Sequence, residues 1–227
     1  MQESSLHNSL KLLYAAAPNS LEVSVDGYWI DAIQDGFLIE VQTRNFVALK
    51  PKLKALLPQH RIRIVHPIPS HKWIVRLPAQ GDTQLQRRKS PRKGRPEDIF
   101  IELVRIAQFI SHPNFSLEII MIEEEEIRRD DGRGSWRRKG VSIVNRRLLG
   151  VNKRETFYSP DDYRCLLPTG LPQTFTNKDL ATYAKISLSL AGKMSYCLRN
   201  IGILTITGKS SNALLYTRTP ARYNSPV

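Results

Sequence analysis

The stretch Tyr28-Trp29-Ile30-Asp31-Ala32-Ile33-Gln34-Asp35-Gly36-Phe37-Leu38-Ile39-Glu40-Val41-Gln42-Thr43 constrains the fold of this chain more than any other. Two apolar runs flank Asp35-Gly36, a pair that favours the tight turn of a β-hairpin, so they predict antiparallel strands over residues 28–33 and 37–43. Side chains alternate faces along a strand, which sets Glu40 and Gln42 on one face, and the turn folds Asp31 back beside them. Phe37-Leu38-Ile39 runs apolar without alternation, as do Trp29 and Ile30 around Asp31, so both strands are expected to be buried on both faces or nearly so. Carboxylates in such strands need a cation or hydrogen-bond partners, because an unpaired buried charge is costly. Acids on a hairpin are otherwise often solvated, and here the apolar surroundings argue against that.

The neighbouring segments extend the pattern. Leu6, Leu10, Leu13 and Ala17 recur at helical spacing over residues 4–17, with Pro18-Asn19 as a stop. Residues 21–25 read as a short strand, and Asp26-Gly27 turns it into the hairpin. Beyond the hairpin, Phe46, Leu49, Leu53, Leu56 and Leu57 form the apolar stripe of a helix whose other face carries Lys50, Lys52 and Lys54, and Pro58 ends it. Strands follow over 61–66 and, after a Pro-rich turn, over 71–77. The predicted order is helix, three strands, helix, strand.

Charge narrows the class of partner. The 227 residues hold 34 Lys and Arg against 21 Asp and Glu, a formal net charge of +13. Such a balance points to a polyanion, most simply nucleic acid, although ribosome association or peripheral membrane binding would also fit it. No apolar run is long enough to cross a bilayer, and the polar first eight residues do not resemble a secretory leader. Cys165 and Cys197 have no metal-ligand spacing, the usage of a reducing cytosol, so a soluble cytoplasmic protein with no membrane partner is expected.

The middle of the chain is strongly basic. Arg87-Arg88-Lys89-Ser90-Pro91-Arg92-Lys93-Gly94-Arg95 reads as a mobile loop or linker, with Arg92 and Lys93 as phosphate-binding candidates. Residues 97–110 predict an amphipathic helix through Ile99, Leu103, Ile106, Ala107 and Ile110. Residues 116–127 predict a strand whose end, Glu123-Glu124-Glu125-Glu126, is expected to be a solvated edge. After it, Arg128 to Lys139 is a basic, Gly-containing turn with one aromatic. It is either an exposed hairpin tip or a loop that grips a nucleic-acid backbone through Arg137, Arg138 and Lys139, with Trp136 stacked on a base.

The C-terminal part has its own logic. Thr176 or Asn177 can cap a short helix, a turn follows near 184–187, and residues 188–200 form a second helix with Leu190, Met194, Cys197 and Leu198 inward. Gly202 stops it, and 203–207 and 213–217 read as a hairpin. Helix, turn, helix and hairpin resemble the winged helix-turn-helix family over roughly the last fifty residues. That resemblance implies DNA contacts from Ser187, Ser189, Lys193 and Arg199 on or near the reading helix and from Lys209 in the wing. Winged helices also serve as protein-interaction modules.

Over about the first 75 residues, the order of elements, with Asp31 on the second strand and Glu40-x-Gln42 on the third, resembles the PD-(D/E)XK nuclease superfamily. The resemblance implies an α/β fold with a mixed sheet and a restriction-endonuclease-like αβββαβ core, joined to a small C-terminal winged-helix domain. It implies a DNA endonuclease in which Asp31 and Glu40 bind Mg2+ or Mn2+. A further acid from the first helix often assists in that family, with Glu3 the nearest candidate and Glu22 an alternative. Many members act as homodimers. One position departs from the pattern: the family's lysine falls at Gln42, which can orient water but supplies no positive charge, leaving Lys50, Lys54 or Arg44 as substitute cations. The expected organisation is a nuclease-like core over 1–80, an extension of basic loop, helix and β-hairpin over 81–160, and a winged helix over 161–227. A non-catalytic DNA-binding regulator on a degenerate nuclease scaffold is the alternative. An RNA-binding factor would explain the charge and leave the buried acids without a role.

Overall fold

The structure is a computed structural model in which residues 4–15, 17, 20–77 and 85–220 are described. It is a mixed α/β protein that divides into two compact units, each assembled from three stretches of chain. The first comprises Met1–Thr43, Ile64–Arg95 and Glu118–Glu155; the second comprises Arg44–Arg63, Pro96–Leu117 and Thr156–Val227.

In the first unit, α1 (Ser5–Leu12) starts where the Ser4 hydroxyl accepts a hydrogen bond from the His7 N–H. That bond serves one of the donors left without a partner at a helix start. The helix is shorter than residues 4–17, and its apolar stripe buries Leu6 and Leu10 in one cluster with Tyr14, Ala32, Phe37, Ile39, Val41, Val65, Ile120 and Ile122. Three strands follow as a meander: β1 (Leu21–Val25), β2 (Tyr28–Gln34) and β3 (Phe37–Val41). Both turns place two successive residues at positive φ, Asp26 and Gly27 at 48° and 81°, Asp35 and Gly36 at 51° and 75°. Hairpin turns of this kind favour Asp-Gly, because glycine carries the second positive φ without a Cβ clash. β3 is buried throughout, as expected. β2 is not, since Trp29 is 70% exposed.

These strands open a seven-stranded sheet in which β1, β2 and β3 are followed in order by β4 (Arg61–Arg76), β6 (Phe115–Asp130) and β7 (Val141–Phe157), with β5 (Gln86–Lys89) paired to β4. The strands expected over 61–66 and 71–77 are one continuous strand, β4 (Arg61–Arg76). The Val65 carbonyl accepts from the Gln42 N–H, so by alternation Pro67 and Pro69 turn their missing N–H groups to the side of β4 where β3 has already ended at Val41. Prolines there cost no ladder hydrogen bond. β5 also replaces part of the loop expected over 87–95: Lys89 pairs with Trp73, and the Arg87 guanidinium lies 4.0 Å from the Trp73 ring centre.

The four-acid run corrects another expectation. It lies within β6 (Phe115–Asp130), and Glu124 and Glu126 are buried rather than solvated. Alternation turns these two to the same face, where Lys72 Nζ lies 2.7 Å from Glu124 Oε1 and 3.1 Å from Glu126 Oε2. Arg128 adds a 2.6 Å contact to Glu126. Burial pushes the Glu126 carboxyl up, and Lys72 and Arg128 outweigh it, holding the group below its ordinary value. β6 and β7 (Val141–Phe157) form the hairpin whose tip is the basic turn.

The second unit holds α2 (Lys50–Leu56), entered through a 3-10 turn at Phe46–Leu49, and a region expected to be one helix over 97–110. That region is broken instead into a 3-10 turn at Pro96–Ile99, the short α3 (Phe100–Leu103) and a 3-10 turn at Ala107–Phe109. The expected face is nevertheless buried, with Ile99, Leu103, Ile106, Ala107 and Ile110 all inside. The break falls at Val104 to Ile106, where β-branched side chains weaken the helix. A three-stranded sheet, β8 (Thr174–Phe175), β10 (Ala213–Arg218) and β9 (Leu204–Ser210), stands with α4 (Asn177–Ala184) and α5 (Leu188–Asn200).

Replacing Lys72 with Met removes the cation shared by Glu124 and Glu126. Urea unfolding at neutral pH is expected to show a loss of about 3–5 kcal/mol, the scale of a buried pair broken from one side. A loss of only about 0.5 kcal/mol, the scale of an exposed pair, would contradict this account.

Candidate active site

All three acid and amide candidates of the hairpin fall in the first unit. The register pairs Ala32 with Ile39, Ile33 with Leu38 and Gln34 with Phe37, and stops one rung short of Asp31 and Glu40. Ala32, Ile39 and Val41 pack in the cluster that holds Leu6 and Leu10, so alternation turns Glu40 to the other face of β3. Glu40 is 9% exposed, and the Asp31 side chain is 17% exposed.

At this rung the ladder between β2 and β3 gives way to side chains. The Val41 N–H donates to Asp31 Oδ2 at 2.8 Å. The Val41 carbonyl lies 2.8 Å from His7 Nε2. A carbonyl only accepts, so Nε2 carries the proton, and Asp31 Oδ2 lies 3.3 Å from the same nitrogen. Both backbone groups of Val41 are thus served by side chains, one from β2 and one from α1. Gln42 is held in turn through its backbone: its N–H donates to the Val65 carbonyl at 2.8 Å, and its own carbonyl accepts from His66 Nδ1 at 2.6 Å.

His7 and His66 were not among the expected site residues. The signal for His7 was its place on the helical stripe beside Leu6, and for His66 its place in the apolar strand 61–66. Glu3 lies outside the described residues. Glu22, the alternative acid, instead accepts from Lys11 Nζ at 2.7 Å. Lys50, Lys54 and Arg44 belong to the second unit. Among the described residues no group of three or more His, Cys, Asp or Glu is arranged to hold a metal ion. Burial pushes the Cys197 thiol up to about 12, which disfavours the thiolate.

The basic candidates fall in both units. Arg92 and Lys93 are exposed just after β5; Arg137 and Lys139 are exposed at the β6–β7 tip, and Arg138 is half-buried with Nε donating to the Val141 carbonyl. In the second unit, Ser187 caps α5 by accepting from the Leu190 N–H. Ser189, Lys193, Tyr196 and Asn200 follow one another at helical spacing, and Lys193 is half-buried while the other three are exposed. Arg199 is exposed beside them, its guanidinium 5.7 Å from the Tyr196 ring centre. Lys209 is exposed on β9, one residue before the turn to β10. The acids nearby are engaged locally: Asp161 with Arg164, Asp162 with the Tyr158 and Ser159 N–H groups, and Asp179 with Thr176. Hydrogen bonds from Thr176 hold the Asp179 carboxyl below its ordinary value.

No helix among the described residues is long and apolar enough to cross a membrane. Residues 4–158 match the family described as "Domain of unknown function (DUF8091)". A protein of Treponema pallidum (strain Nichols), described as "Uncharacterized protein", is 33% identical over 221 residues, covering 96% of this chain and 86% of that one. No solved structure matches the chain.

The Val41 contact makes a separable prediction. Asp31→Ala leaves the Val41 N–H without its acceptor and is expected to destabilise the protein by about 1–3 kcal/mol in urea titrations. Asp31→Asn, which keeps an acceptor oxygen, should cost clearly less. Equal losses for the two variants would show that the hydrogen bond is not what Asp31 contributes.

Proposed function

The chain belongs to the DUF8091 family. We propose that it is a metal-dependent DNA endonuclease: a PD-(D/E)XK-like centre cleaves phosphodiester bonds, and a C-terminal winged helix binds duplex DNA. The observation that supports this reading is the presence of two largely buried carboxylates, Asp31 and Glu40, on the adjoining strands of one hairpin. A magnesium ion keeps several waters and takes one or two carboxylates from protein, so this pair fits such an ion in number and kind. A bound Mg2+ or Mn2+ would polarise the scissile phosphate and lower the pKa of an attacking water.

The chain's own residues do the remaining work. Asp31 and Glu40 hold the ion, and His7 fixes the Asp31 oxygen that it contacts. Gln42 orients the nucleophilic water; as an amide it adds no positive charge to the transition state. Ser187, Ser189, Lys193 and Arg199 on and beside α5 face the groove, with Lys209 against the backbone. The order of β8, α4, α5, β9 and β10 supports that assignment, as does the engagement of the local acids in caps and pairs.

A second reading has its own observation. Asp31 Oδ2 already accepts from the Val41 N–H, the role of a structural cap, which favours a DNA-binding protein on a nuclease-like scaffold.

Purified protein incubated with plasmid, linear and branched DNA in Mg2+ or Mn2+ separates the two. Cleavage by the wild type, lowered at least about 100-fold in both Asp31→Asn and Glu40→Gln, is the expected result. No cleavage by any of the three, with DNA binding intact, would establish the second reading instead.

A further inference from the structure

We propose that the tip of the β6–β7 hairpin is a reader of unpaired DNA bases, with Trp136 as the stacking platform. This rests on the reading of the protein as DNA-binding and names the feature of the DNA that it selects. Trp136 is 82% exposed, the most exposed of the large apolar side chains among the described residues. An indole left in water on a tip contributes nothing to a core, and its large apolar face marks an interaction site.

The tip is built, not frayed. Asp131 Oδ1 accepts from the Arg133 N–H, and Asp131 Oδ2 accepts from the Ser142 hydroxyl at 2.8 Å. The Gly134 N–H donates to the Gly140 carbonyl at 2.7 Å, closing the loop across its base. Gly134 also packs so tightly against the Val141 carbonyl that a Cβ has no room there. Trp136–Arg138 forms a 3-10 turn, ended by Lys139 and Gly140 at φ of 51° and 83°. The backbone thus presents the indole at the outermost turn on a fixed base.

Charge supplies the partner class. Arg133, Arg137 and Lys139 are exposed around the ring, and the Arg137 guanidinium is 5.5 Å from its centre. The Asp131 carboxylate is already engaged by Ser142 and Arg133. An aromatic platform ringed by cations suits a nucleotide, whose phosphate meets the cations and whose base meets the ring. Inside a duplex both faces of each base are covered by its neighbours. The indole can therefore stack only where bases are unpaired: on single strands, flaps, branch points or frayed ends.

The test measures binding by fluorescence anisotropy, on the full chain carrying Glu40→Gln, without divalent metal. Labelled single-stranded, branched and fully paired DNA are compared. Trp136→Ala is expected to weaken binding to single-stranded and branched DNA about 5- to 100-fold and to paired DNA less than about 2-fold, with Trp136→Phe retaining most of the affinity. An equal loss on all three DNAs, as for a wedge driven into duplex steps, would overturn the proposal. So would unchanged binding to single strands. A selective loss in a protein that cuts nothing leaves this inference standing and removes only the nuclease reading. Metal-dependent cleavage by the wild type, with no Trp136 effect on single-stranded or branched DNA, does the reverse.

Discussion

The backbone of Val41 is the point on which the hairpin half of the structure turns. Its N–H donates to Asp31 and its carbonyl accepts from His7, so a helix and two strands are tied to one residue. A buried N–H or carbonyl without a partner is costly, and here β2 no longer supplies the backbone partner that a regular ladder would give. The side chains that fill the gap hold α1 against β3, with Leu6 and Leu10 in the same apolar cluster as Ile39 and Val41. They also fix the Asp31 carboxylate beside His7. A structural requirement and the proposed chemistry therefore share one carboxylate.

The net charge of +13 describes the surface less well than the placement of individual acids does. Glu124 and Glu126 lie inside the first unit with Lys72, and Asp131 is engaged by Ser142 within the hairpin tip. In the second unit, Asp162 and Asp179 are taken up in caps and Asp161 in a pair with Arg164. Meanwhile Arg92, Lys93, Arg133, Arg137, Lys139, Arg199 and Lys209 are exposed. These exposed side chains, rather than the balance of the whole chain, are where a polyanion would be met under the proposed function.

Much of this was legible in the sequence because it is written in short-range rules. Asp26-Gly27 and Asp35-Gly36 fix two turns, and those turns set the register of the meander from Leu21 to Ile39. Thr176, one of two capping candidates, starts α4, and α5 covers the 188–200 expected from its apolar spacing, with Ser187 as a cap that the spacing did not name. What was not legible depends on partners distant in sequence. Glu124 and Glu126 look like a solvated run until Lys72 is set beside them, and β4 looks interrupted at Pro67 until its neighbour is known to have ended. His7 shows no function in its own segment; its partner is 34 residues away. The stripe over 97–110 gave the buried face and missed the break, since burial is set by apolar spacing and continuity by local backbone preference.

The central claim is that Asp31 and Glu40 together form a divalent cation site. Titration of the wild-type protein with Mn2+, followed by electron paramagnetic resonance of the free ion, reads this directly and without DNA. The account predicts saturable binding that weakens by about 10-fold or more in Glu40→Gln, while the variant keeps its fold by circular dichroism. Binding of equal strength in the wild type and in Glu40→Gln, or no binding by either, would contradict it.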